Sequence, residues 1–211
     1  MKLNSILFTL GALAAASLTV NATTTIVDST SATPVNQANF ATGTASSLGT
    51  GAAWTFTTGI LGADNVLGSI GLEGRQAGQN TNVLTLELWS NPAGNSATLD
   101  LANAALLGTS TNSTALAVDT VGNFLFSGIT LTDNTVYSVH VVGTTPGFGL
   151  VGTTTTDVVP NSRMFQSGAL VFGGTAPNGI DASFNVVAVP EPSAALLGGL
   201  GMLALLRRRR G

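Results

Sequence analysis

The sequence predicts an all-β fold, a single β-sandwich of jelly-roll-like character, on three observations. Charged residues make up 8% of the 211 positions, too few to lace the exposed faces of long helices with ion pairs. Short alternating or aliphatic runs follow one another, each closed by Gly, Asn, Asp or Pro, the punctuation of strands and turns. No long stretch keeps the 3.6-residue repeat of an amphipathic helix.

The first candidate strands are 24–28 and 37–42. Residues 52–58 alternate well, with Trp54, Phe56 and Thr58 on one face. A further candidate, 65–72, is interrupted by Gly68 and Gly71. The clearest strand is 82–90. Leu84, Leu86 and Leu88 line one side of it, and Val83, Thr85, Glu87 and Trp89 the other. A charge reversal at Glu87 is therefore expected to be much milder than a charge placed at Leu86. Asn91-Pro92-Ala93-Gly94-Asn95 then forms a turn. Strands 114–118 and 121–127 follow, the second with Phe124 and Phe126 on one face. Thr132-Asp133-Asn134 reads as a turn before strand 135–143, whose bulky face is Tyr137, Val139 and Val141. Runs 163–172 and 182–189 close the domain. Residues 97–107 fit either a short helix or a compact loop. The polar stretches 41–51 and 144–157 read as mobile loops.

The two ends have a different character. Lys2, an apolar stretch over 6–18 and Val20-Asn21-Ala22 have the form of a secretory signal peptide cleaved after Ala22. An uncleaved anchor is the alternative, with a short core for that task. Near the other end stand Pro190, Glu191 and Pro192, then an apolar segment over 193–206, then Arg207, Arg208, Arg209 and Arg210. The 14 residues of the segment would make a helix about 21 Å long. That is short of a hydrocarbon core of about 30 Å, and Gly198, Gly199 and Gly201 weaken the helix further. Such a segment halts in a membrane transiently rather than anchoring there. The four arginines resist translocation and act as a stop-transfer signal. The expected organisation is signal peptide 1–22, extracellular sandwich 23–188 and C-terminal tail 189–211.

Residues 23–188 hold two basic and nine acidic residues, a formal net charge of −7, against −3 for the whole chain. An acidic body without a basic cluster excludes nucleic acid as a partner and disfavours anionic membrane surfaces. The absence of cysteine removes disulfides, thiolate metal sites and cysteine nucleophiles together.

The search for chemistry in the body yields little. His140 is the sole histidine and reads as a half-exposed polar residue on the less bulky face of its strand. No nucleophile elbow is present, since Gly68-Ser69-Ile70-Gly71 has the wrong spacing. The acids are scattered singly beside turns, as in Asp64-Asn65 and Asp133-Asn134, rather than paired for glycoside hydrolysis. No calcium-loop spacing or phosphate-binding loop occurs. No catalytic residue, metal or cofactor is expected. Trp89 is the candidate ligand-binding residue, as a stacking platform for sugars, with packing as its alternative.

The tail resembles the PEP-CTERM sorting signal of Gram-negative bacteria. The resemblance rests on Pro190-Glu191-Pro192, the Gly/Ala/Leu run and the arginine cluster in that order. It implies recognition and removal of the tail by an exosortase, a membrane-embedded cysteine protease. The body resembles choice-of-anchor domains of the R type. Leu84-Thr85-Leu86-Glu87-Leu88-Trp89-Ser90-Asn91 and Leu131-Thr132-Asp133-Asn134-Thr135-Val136-Tyr137 carry that likeness. The combined expectation is an exported, non-catalytic surface or matrix protein, with exosortase as processing partner and the inner membrane as a transient one. The alternative is a carbohydrate-binding module engaging extracellular polysaccharide; a glycosidase or other hydrolase ranks below both.

Overall fold

A computed structural model describes residues 23–30, 36–74, 83–94, 98–117, 120–143, 148–153, 159, 162–170 and 181–191. In chain order the strands are β1 (Thr24–Asp28), β2 (Asn36–Phe40), β3 (Ala52–Thr57), β4 (Val66–Gly74) and β5 (Val83–Ser90). Then come β6 (Leu106–Thr109), β7 (Thr114–Ala115), β8 (Thr120–Leu125), β9 (Val136–Gly143) and β10 (Phe148–Thr153). The last are β11 (Arg163–Gln166), β12 (Ala169–Leu170), β13 (Asp181–Ala182) and β14 (Phe184–Val189).

These strands form two antiparallel sheets packed as a sandwich. In one, β14 lies between β1 and β4, β8 flanks β4 on its other side, and β10 joins β2 and β13 to the end of β4. In the other the order is β12-β11-β3-β9-β5-β6, with β7 also on β5. The chain steps from sheet to sheet at β3–β4–β5 and again at β8–β9–β10–β11, which gives the jelly-roll-like character. The described residues include no helix, so none long and apolar enough to cross a membrane.

The interior follows from the alternation in sequence. Leu84, Leu86 and Leu88 of β5, Tyr137, Val139 and Val141 of β9, and Trp54 and Phe56 of β3 all enter one core. Leu67, Ile70 and Leu72 of β4, Phe124 of β8 and Phe184, Val186 and Ala188 of β14 meet them from the facing sheet. Each large side chain buried there contributes about 1.5–3 kcal/mol. Phe184 joins the layers directly, its ring 5.5 Å from that of Trp54 and 6.3 Å from that of Phe56. The Thr132-Asp133-Asn134 turn forms as expected. Asn134 takes φ 48°, a left-handed conformation that asparagine tolerates. Tyr137 Oη accepts a hydrogen bond from the Thr132 amide at 2.8 Å, so the tyrosine of the Leu131–Tyr137 element locks the turn that starts its own strand.

Of the two readings for 97–107, the compact loop holds over its described residues: 98–105 form a compact turn, with the Ala104 amide on the Asp100 carbonyl at 2.8 Å, leading into β6. Two other expectations change. The stretch 144–157, expected to be a mobile loop, contains β10. That strand pairs with β2 over five positions, from Phe148↔Phe40 to Gly152↔Asn36; its glycines hid it, because they lower strand propensity. The run 163–172 divides into the hairpin β11–β12. Its two-residue turn, Ser167 at φ 50° and Gly168 at φ 77°, has the doubly positive φ that suits the twist of a tight hairpin. The signal peptide with Ala22, the expected helix over 193–206, Pro192 and Arg207, Arg208, Arg209 and Arg210 lie outside the described residues.

Candidate functional site

Two places bring functional side chains together. One is a sealed polar cluster on the outer face of the β3/β9/β5 sheet. The other is the junction of β14 with the tail.

At the first, Glu87 of β5 stands directly opposite His140 of β9. Directly opposed positions bring side chains of neighbouring strands into contact, and His140 Nδ1 lies 3.0 Å from Glu87 Oε2. Trp89, two residues along the same face of β5, donates its indole N–H to Glu87 Oε2 at 3.2 Å. Ser46 donates its amide N–H to Glu87 Oε1 at 2.8 Å. His140 Nε2 faces the Thr50 carbonyl at 2.7 Å. That oxygen accepts and cannot donate, so Nε2 carries a proton. Glu87 is 2% exposed and His140 0%.

The expectation of a half-exposed His140, and of a mild charge reversal at Glu87, is therefore corrected. So is the reading of 41–51 as a mobile loop, because this loop is the cover. Its Gly43 amide bonds to the Val141 carbonyl at 2.8 Å and its Ala52 end to the Ala41 carbonyl at 2.9 Å. Leu48 reaches down to Ala53, Trp89, Leu99 and Phe165 in a second small core. Trp89 belongs to this core at 9% exposure, and its N–H is engaged by Glu87, so its packing alternative describes where it sits. A Cβ on Gly43 would fall 1.9 Å from His140 Nε2 and 2.5 Å from the Thr50 oxygen; glycine is what lets the loop close. Gly43→Ala is expected to cost about 1–3 kcal/mol by overpacking, measured as a lower midpoint in urea unfolding of the secreted protein.

At the second place, β14 is paired on both sides to its end: Ala188 with Thr24 of β1, and Val189 with Val66 of β4. Pro190 follows at once and has no N–H to continue a ladder. The next residue, Glu191, is half-buried, and its Oε1 accepts a hydrogen bond from Asn65 Nδ2 at 3.1 Å. Asn65 immediately precedes Val66, so the β4–β14 register itself sets the two side chains side by side. Sequence reading placed Asn65 at the start of candidate strand 65–72, beside a turn, and missed this contact. Its one trace in sequence is that the triplet follows a strand without a linker.

Among the described residues no three His, Cys, Asp or Glu side chains gather as a metal site. The described arrangement supports two things: a two-sheet sandwich, and a tail whose Glu191 is held against it by Asn65 directly after β14.

Comparison with known proteins agrees with the second. No curated protein matches the chain in sequence. In structure the chain is similar to the clostridial cysteine protease Cwp84 after propeptide cleavage, with TM-score 0.49 and 10% identity over 81% of this chain and 40% of that one. It is also similar to the cysteine protease and lectin-like domains of Cwp84, a surface layer associated protein of Clostridium difficile, with TM-score 0.44 and 10% identity. That likeness covers 66% of this chain and 32% of the other. The chain thus spans two fifths or less of those structures, and likeness at this level carries no activity across. Residues 188–210 match the PEP-CTERM protein-sorting motif. The match lies wholly outside residues 84–91 and 131–137, on which the choice-of-anchor expectation rests. The chain therefore carries, joined directly to its last strand, the sorting motif of exported, exosortase-processed cell-surface proteins.

Proposed function

We propose that this is a non-catalytic surface or matrix protein, a sandwich of the choice-of-anchor kind, delivered by its N-terminal signal and processed by an exosortase at its C-terminal tail. The observation that carries this reading is the sorting-motif match over 188–210, contiguous with a strand that belongs to the folded body. The non-catalytic part is supported by His140, the one histidine of the chain. It is sealed in the protein with both ring nitrogens engaged, where no substrate reaches it.

The triplet and the arginines divide the work. The short segment 193–206 is too weak to hold the chain permanently, so the arginines stall it in the inner membrane with the body outside. The triplet then sits at the outer boundary, open to the enzyme. In cells that carry an exosortase, Pro190-Glu191-Pro192 changed to Ala-Ala-Ala is expected to leave full-length precursor in the membrane fraction. Arg207, Arg208, Arg209 and Arg210 all changed to Ser should instead let unprocessed chain slip through. Fractionation with intact-mass measurement reads both outcomes. An alanine triplet processed like wild type would end the sorting assignment.

A further inference from the structure

We propose that the folded body latches the sorting motif: Asn65 holds the Glu191 carboxylate on the sandwich edge and competes for it with the processing enzyme. This inference rests on the exosortase reading above and adds to it a regulatory residue in the body.

The latch follows from where backbone pairing has to stop. The chain is held by strand pairing through Ala188 on the β1 flank and through Val189 on the β4 flank. Pro190 and Pro192 can donate none, so a triplet of this composition leaves the sheet unless a side chain keeps it there. Asn65 does so through Nδ2, at 3.1 Å from Glu191 Oε1. The register Val189↔Val66 places both groups beforehand, so closing the latch costs little additional ordering. Neighbouring contacts stiffen the same edge. Thr24 of β1 donates its hydroxyl to Asp64, and the Leu131 amide bonds to the Asn65 carbonyl at 2.7 Å.

An enzyme that reads an extended Pro-Glu-Pro segment must turn the glutamate toward its own donors and surround it on several sides. A half-buried carboxylate bonded to Asn65 is not free for that. The enzyme therefore acts on the unlatched fraction, and the latch sets how large that fraction is. A hydrogen bond to a charged group corresponds to roughly a tenfold equilibrium bias or more.

Asn65 is well suited to a test because its removal does little harm elsewhere. Its Oδ1 is buried without a partner, so truncation also removes an unsatisfied acceptor, a change that lowers a desolvation penalty. The bond from Leu131 goes to the main chain and survives substitution.

The experiment follows conversion of full-length precursor to product by pulse-chase in exosortase-carrying cells. Asn65→Ala should be processed about tenfold faster than wild type or more. Asn65→Asp should be at least as fast, because it sets a second carboxylate against Glu191. Gly43→Ala loosens the body in the other sheet and leaves the latch intact, so it should not accelerate conversion. An unchanged or slower rate in both Asn65 variants would overturn the proposal, as would equal acceleration by Gly43→Ala. Pro190-Glu191-Pro192→Ala-Ala-Ala runs alongside. If it alone stalls while the Asn65 variants match wild type, the latch fails and the sorting reading stands. If it too is processed normally, the sorting reading itself fails.

Discussion

Glu87→Lys is expected to unfold the sandwich under conditions in which the wild type is intact. Glu87 accepts hydrogen bonds from the Trp89 indole and the Ser46 amide and faces the His140 ring. A lysine there strands all three groups and adds a cation beside the imidazole at a site 2% exposed. Each donor left buried without its acceptor costs about 1–3 kcal/mol, and the buried lysine cation adds to this, together a large share of the stability of a domain of this size. Leu86→Asp, one residue earlier and 0% exposed in the main core, should be comparably damaging, since it buries an unpaired carboxylate. Urea unfolding of the secreted protein compares the two. The double change Glu87→Leu with His140→Leu should be milder than Glu87→Lys, because replacing a whole buried pair by apolar groups avoids the stranded charge. A mild Glu87→Lys would mean that loop 41–51 does not close over the strand.

Phe184→Ala is expected to cost about 3–5 kcal/mol, the range for deleting a buried aromatic side chain. Phe184 is 0% exposed and is the ring through which β14 touches both Trp54 and Phe56 of the facing sheet. The surrounding side chains come from two rigid ladders and cannot collapse far into the space left. The cost should therefore lie near the top of the range. Thermal unfolding followed by tryptophan fluorescence is a sensitive readout, since Trp54 is one of the two tryptophans and lines the new cavity.

The strands whose residues alternate were legible in the sequence, because a two-residue period with Leu or aromatic residues on one side admits one packing. Residues 82–90 became β5 and 135–143 became β9 within a residue or so. What alternation cannot say is whether the second face of a strand is also covered. In β5 the Thr85, Glu87, Trp89 side passes from half-buried to buried, since a loop from some forty residues earlier folds over its end. The cue was present as a carboxylate hemmed in by Leu86, Leu88 and Trp89, and as Gly43 and Gly51 in the covering loop. Gly51 takes φ 63°, a conformation that glycine adopts freely. The tail was legible as a motif, but its attachment to Asn65 was not, because that depends on the register of two strands more than a hundred residues apart.

That long separation has a kinetic side. Sheet completion requires β14, which fills the gap between β1 and β4, so the first-made and last-made strands of the body become neighbours. Pairing across such a distance is slow, because a very large loop must be closed before any contact rewards it. A chain fed across a membrane from its N-terminus keeps that gap open until residue 189 has emerged. Until then β1 has no inner neighbour and one flank of β4 is bare. The segment that completes the sheet is also the one that delivers Glu191, so maturation of the fold and arrival of the address coincide in time. On the export route proposed above, a compact domain therefore exists only once Glu191 has come within reach.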